Sequence, residues 1–175
     1  MVAYKAVQPN EEVHMGVIQS LAMALGEDIA ASYMKKYGFE DNPDTWKPHQ
    51  DLLNMFKEID TENFLNIVAV GIKVAEMAPL PPEMTIPEAL ASLEFAYQSS
   101  HRNVDKEICH FEKTGERSGK YISVSPYPSD FEYGMVYGLV RKYHPKDSLE
   151  YKVVRDETVV RNEMDEDTCI LYIQW

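Results

Sequence analysis

The hydrophobic period of the chain falls from helical to two near Lys106. Before that point apolar residues recur at three- and four-residue intervals, and after it they alternate in short stretches around one further helical stretch. Helices and strands need these two different spacings to bury one face, so the switch restricts the fold class more than any single motif does. It predicts an α+β chain, with a helical part over residues 1–103 packed on a sheet-rich part over 104–175. No repeat, low-complexity tract or linker divides the chain, and 175 residues suit one domain.

Five helices are predicted in the first part. Residues 11–25 place Val13, Val17, Leu21 and Ala24 on one stripe, with Ile18 and Leu25 widening it. A second helix runs from about Glu27 to a stop at Gly38, with Ile29, Tyr33 and Tyr37. The polar, proline-containing stretch Phe39 to Pro48 reads as a loop, and a helix from about Gln50 to Ile59 turns Leu52, Leu53 and Phe56 inward. The most apolar helix spans 61–77 and is apolar on most sides, which makes it central. Gly71 lies within it, and a glycine there marks the close approach of a neighbouring element or of a ligand. After Pro79, Pro81 and Pro82, Thr85 and Glu88 form a capping box for a helix carrying Leu90, Leu93 and Tyr97 to about His101.

The second part begins with a predicted hairpin, strands 107–112 and 120–125 around a glycine-containing turn. Ser129 to Glu132 reads as a second capping box, opening a helix to about Tyr143. Two strands close the chain; Leu149, Tyr151 and Val153 share a face of the first, and Cys169, Leu171, Ile173 and Trp175 a face of the second. The charged segment 156–167 between them reads as a long turn. The expected sheet is four-stranded and mainly antiparallel, with helix 129–143 across it.

Charge narrows the partners. Seventeen Lys and Arg stand against 29 Asp and Glu, a formal net charge of −12. That field repels phosphate backbones and anionic membranes, leaving neutral, apolar or cationic partners. The first residues contain no apolar targeting segment and no run approaches membrane-spanning length, so a cytoplasmic protein is expected. Cys109 and Cys169 make neither a disulfide framework nor a zinc pattern and read as buried thiols.

No phosphate loop, nucleophile elbow or helical zinc motif is present, and His14, His49, His101, His110 and His144 lack ligand spacing. Most carboxylates fall on solvent faces of the predicted helices. The expectation is a non-enzymatic protein. The strand 120–125 offers the more informative pattern: Tyr121, Ser123 and Ser125 alternate with Ile122 and Val124. With Ile122 and Val124 in the core the hydroxyl row faces solvent; on a cavity wall the row offers donors and acceptors to the polar edge of a ligand. Tyr127, Phe131, Tyr133 and Tyr137 are either core packing or the wall of an apolar pocket against helices 61–77 and 87–101.

The run Tyr121-x-Ser123-x-Ser125, followed by Gly134, Gly138-Leu139 and Arg141-Lys142-Tyr143, resembles the haem–nitric oxide/oxygen-binding (H-NOX) domain, whose motif is Tyr-x-Ser-x-Arg before a glycine-containing helix with a basic-aromatic end. The ending Cys169 to Trp175 is similar to that of related 4-vinyl-reductase-type domains and vesicle-tethering small subunits. The resemblance covers about the last 55 residues of the chain's 175. It implies a sensor holding a small apolar or amphipathic ligand, with haem as one candidate cofactor, and a signalling partner or second copy to read it.

Two positions depart from the family pattern. Ser125 stands where the family's arginine pairs with the haem propionates, and the position of the iron-ligating histidine falls near Ser92. His101, at the end of the same helix, is the candidate replacement as a metal ligand; the alternative role for it is C-terminal capping. Arg102 and Arg117 are candidates for the missing cation. The ligand-binding set expected is Tyr121, Ser123, Ser125, Gly71, Tyr97 and Phe131, and the rival reading is a homodimeric scaffold with a filled core.

Overall fold

A computed structural model describes residues 4–39, 42, 44–61, 66–146, 150–156, 158 and 168–175. The chain opens with a short strand, β1 (Glu12–His14), and helix α1 (Met15–Leu25), where one helix from residue 11 is expected. Val13 is fully buried in β1, and His14 caps α1 by accepting the Gly16 amide on Nδ1. Helix α2 (Glu27–Lys36) follows, then strand β2 (Trp46–Pro48) inside the expected loop, and helix α3 (His49–Thr61). Phe39, at the start of that expected loop, is a core residue at 1% exposure. Helix α4 (Ile67–Met77) is capped by Asn66, whose side chain accepts the Val68 amide; of the first residues assigned to it from sequence, Thr61 instead ends α3 and 62–65 lie outside the described ones.

The capping box at Thr85 and Glu88 is formed and starts α5 (Ile86–Ser100), which hands directly into strand β3 (His101–Arg102). β1 pairs antiparallel with both β2 and β3, making a three-stranded sheet absent from the sequence reading. The main sheet contains β4 (Cys109–Gly115), β5 (Ser118–Ser123), β6 (Lys152–Arg155) and β7 (Cys169–Gln174) in the order β4-β5-β7-β6, antiparallel throughout. The expected position Leu149 and most of the 156–167 turn fall outside the described residues.

Helix α6 (Ser129–Lys142) crosses this sheet. Its expected capping box does not form. Pro128 occupies the N-cap, Ser129 Oγ has no hydrogen-bond partner among the described residues, and Glu132 turns inward to accept the Ser123 hydroxyl at 2.7 Å. The charges at its two ends, Asp130 and Glu132 against Arg141 and Lys142, still suit the helix dipole.

Helices α4 and α6 meet through glycine. A Cβ on Gly71 would lie 2.3 Å from the Phe131 carbonyl oxygen, and one on Gly134 would lie 2.2 Å from that of Val68. Backbone therefore packs on backbone, and the close neighbour anticipated at Gly71 is α6. No described helix is long and apolar enough to cross a membrane.

Candidate functional site: a hollow bordered by a buried histidine–glutamate–tyrosine cluster

Between α1, α4, α5 and α6 on one side and the main sheet on the other lies a hollow of about 470 Å³, within the size range of small-molecule sites. Val17, Leu21, Val74, Leu93, Ile108 and Met135 supply much of its apolar wall. The sheet contributes Cys109 and Tyr121, and Cys109, Ser123 and Cys169 sit side by side on β4, β5 and β7. Tyr121 and Ser123 are buried on the face turned to α6, while Ile122 is half-buried on the opposite face. The hydroxyl row thus points into the molecule, which resolves the two orientations left open by the alternation.

Of the residues expected to bind ligand, Tyr121, Ser125, Tyr97 and Phe131 line the hollow, as does His101. Ser123 lies behind the wall, donating to Glu132 and accepting the Ser125 amide at 3.2 Å. Gly71 lies in the α4–α6 contact. Ser125 Oγ accepts the Tyr127 amide at 3.0 Å and keeps its own proton for an acceptor. Tyr127 lines the hollow too, whereas Tyr133 and Tyr137 stack on each other away from it. No lysine or arginine lines the hollow among the described residues. Arg102 is paired with Glu12 and packs on Trp46, and Arg117 sits in the β4–β5 turn.

One wall of the hollow runs into a buried polar cluster. Glu11 Oε1 accepts the Tyr97 hydroxyl at 2.7 Å and bonds His49 Nδ1 at 2.8 Å, while Oε2 accepts the Val7 amide at 2.7 Å. His101 Nδ1 bonds the Tyr97 carbonyl at 3.0 Å and Nε2 bonds the Tyr127 hydroxyl at 2.9 Å. His101 stacks on Tyr97 with ring centres 3.9 Å apart and meets His49 edge-on at 4.6 Å. Three distant segments converge here: residue 11 before β1, the first residue of α3, and the C-cap of α5. The β1–β3 pairing and the His49 amide bonded to the Glu11 carbonyl at 2.9 Å bring them together.

Burial sets the charges. For Glu11, burial alone would raise the carboxyl, but the hydrogen bond to His49 and its electrostatic pull, with Tyr97 and Val7 donating, hold it below the usual carboxylate range. Burial, with His49 alongside, pushes the His101 imidazole down to about 3, so its ring is neutral. His101 therefore caps α5 through a hydrogen bond to a carbonyl rather than through positive charge. Burial pushes the Cys109 thiol up to about 12 although the Tyr121 hydroxyl bonds it, and Cys109 and Cys169 are both buried thiols, as expected, with no disulfide between them. Sequence reading missed Glu11, His49 and Glu132 as buried polar residues. Glu11 hides in an acidic run with Glu12, and no local pattern pairs it with a histidine 38 positions away.

No family model and no curated protein match the chain. Solved structures do. The fold matches an oxygen-binding H-NOX domain related to soluble guanylate cyclases, in its oxygen complex, at a TM-score of 0.60 and 14% identity, over 91% of this chain and 90% of that one. A variant of the T. tengcongensis H-NOX matches at 0.60 and 14% over 91% and 94%, and an H-NOX protein from S. oneidensis in the Fe(II)NO state at 0.60 and 9% over 91% and 97%. Identities this low speak for the fold alone. The chain, helices first and the four-stranded antiparallel sheet last with a hollow between them, has the H-NOX-like fold.

Proposed function

We propose that this domain is a ligand-binding sensor that holds a small, uncharged, apolar or amphipathic molecule in the hollow between its helices and sheet. The observation that carries this reading is the hollow itself, apolar over most of its wall with the Ser125 and Tyr121 hydroxyls on the sheet side. A neutral ligand with one hydrogen-bonding edge suits that lining. Binding would favour one packing of α4, α5 and α6, and a partner would read the shifted population.

Haem does not suit the residues present. Its propionates call for a planar cation, and Ser125 holds that place with no lysine or arginine on the described wall. The Glu132 carboxylate lies on the same wall, where it repels an anion. His101 Nε2 faces the Tyr127 hydroxyl, and Tyr97 covers the ring, so a porphyrin at that nitrogen meets two aromatic side chains. The filled-core scaffold reading is disfavoured by the hollow.

The test is binding of a neutral, environment-sensitive apolar dye, followed by fluorescence, to wild type and to Val74→Trp. Wild type is expected to bind one equivalent, and the variant, whose indole occupies the hollow, to lose binding while melting cooperatively. No binding by wild type, or equal binding by a folded Val74→Trp, overturns the proposal.

A further inference from the structure

The polar groups bordering the hollow are mostly acceptors, because their protons are already committed inside the protein. Tyr97 donates its hydroxyl proton to the Glu11 carboxylate at 2.7 Å. The Tyr97 carbonyl cannot donate, so His101 Nδ1 carries the proton of its neutral ring and Nε2 the lone pair. Tyr127 therefore gives its hydroxyl proton to His101 Nε2 at 2.9 Å. The Tyr121 hydroxyl bonds the Cys109 thiol, and the phenol is the stronger donor of that pair. On α1 and α5, Ser20 donates to the Gly16 carbonyl at 2.8 Å, and Ser99 and Ser100 donate to that of Ala96 at 3.0 and 2.6 Å. What these groups can still turn to a ligand is lone pairs. Glu132, exposed at only 8%, adds a carboxylate on the same wall. A carboxylate offers about four lone-pair sites, more than the Ser123 hydroxyl at 2.7 Å takes up. Among the described hydroxyls of the wall, Ser125 alone keeps its proton for a ligand.

We propose that the hollow selects neutral apolar molecules that bring a proton donor, an N–H or O–H group, with Glu132 as the specificity-determining acceptor. The inference rests on the ligand-binding reading above and names the chemical class of the ligand. A donor meets an acceptor at the Glu132 part of the wall. An acceptor-only molecule such as an ether, ester or ketone sets lone pairs against lone pairs and finds a proton only at Ser125. It also takes water from the Glu132 carboxylate without replacing the hydrogen bonds lost, and that cost separates the two classes. An ionised acid fares worse, since it meets Glu132 with no cation on the described wall.

The test compares indole with benzofuran by calorimetric titration of the full chain. These bicycles have nearly the same shape and differ in an N–H against an ether oxygen. Indole is expected to bind at least about tenfold more tightly, a preference that one hydrogen bond to a charged group supports. Glu132→Gln, which puts an amide nitrogen in place of one acceptor oxygen, should lower indole affinity by a similar factor while melting cooperatively. Should that variant fail to fold, nuclear magnetic resonance of the wild type decides. The bound indole N–H is then expected downfield of its position in water, with an Overhauser contact to the Glu132 side chain. Equal or tighter binding of benzofuran, unchanged indole affinity in folded Glu132→Gln, or a bound N–H without contact to Glu132 overturns the inference and leaves the hollow a ligand site. Binding of neither bicycle while the neutral dye binds overturns it in the same way. Failure of the dye as well would bring down the ligand-binding reading with it.

Discussion

Ser123 shows how one hydroxyl can hold a strand, a loop and a helix. It donates to the Glu132 carboxylate on α6 and accepts the amide of Ser125, where the chain leaves β5. Ser123→Ala removes a donor from a carboxylate exposed at only 8%. Losing a hydrogen bond to a buried charged group costs about 1–3 kcal/mol, and urea unfolding should show a loss of this size. Cys109 offers a second residue-scale check. With its thiol pushed up to about 12, almost no thiolate forms at pH 8. Iodoacetamide should leave Cys109 unmodified in the native protein and label it once urea is added, as read by peptide mass. These roles were only half legible. The alternation Tyr121, Ser123, Ser125 is visible in the sequence, yet which face meets the core depended on Glu132, whose position three residues after Ser129 mimics a cap.

At the scale of elements, α4 and α6 are held at backbone contact by Gly71 and Gly134. Alanine normally gains about 1 kcal/mol over glycine inside a helix. At Gly134 the added methyl would instead sit 2.2 Å from the Val68 carbonyl oxygen, and an oversized side chain in a close contact costs about 1–3 kcal/mol. Gly134→Ala should therefore lower the melting temperature despite its higher helix propensity, as calorimetry would show. The helices themselves were readable because their apolar stripes and the Thr85–Glu88 box are local signals. The β1-β2-β3 sheet was not. Its strands are two or three residues long, too short for a period, and each exists because segments from three parts of the chain meet.

At the scale of the molecule, helices before sheet followed from the change of period at Lys106, and the H-NOX-like fold from the motif around Tyr121. The hollow could be anticipated, but the polar cluster beside it could not, since residues 11, 49 and 101 share no spacing. A ligand that binds only the folded state stabilises it by mass action. An apolar ligand at 100 times its dissociation constant should add about 2.7 kcal/mol, seen as a rise in melting temperature that Val74→Trp does not share.

The pairing of Val13 with His101 and of Glu12 with Arg102 has a mechanical consequence. The last residue of α5's cap and the strand next to Glu11 are stitched by backbone bonds into one small ribbon. A molecule that pushes α5 outward by an ångström cannot leave that ribbon behind. The segment before β1, with the Tyr4 amide tethered to the Pro126 carbonyl, is thus coupled through backbone to both the end of α5 and the start of α6.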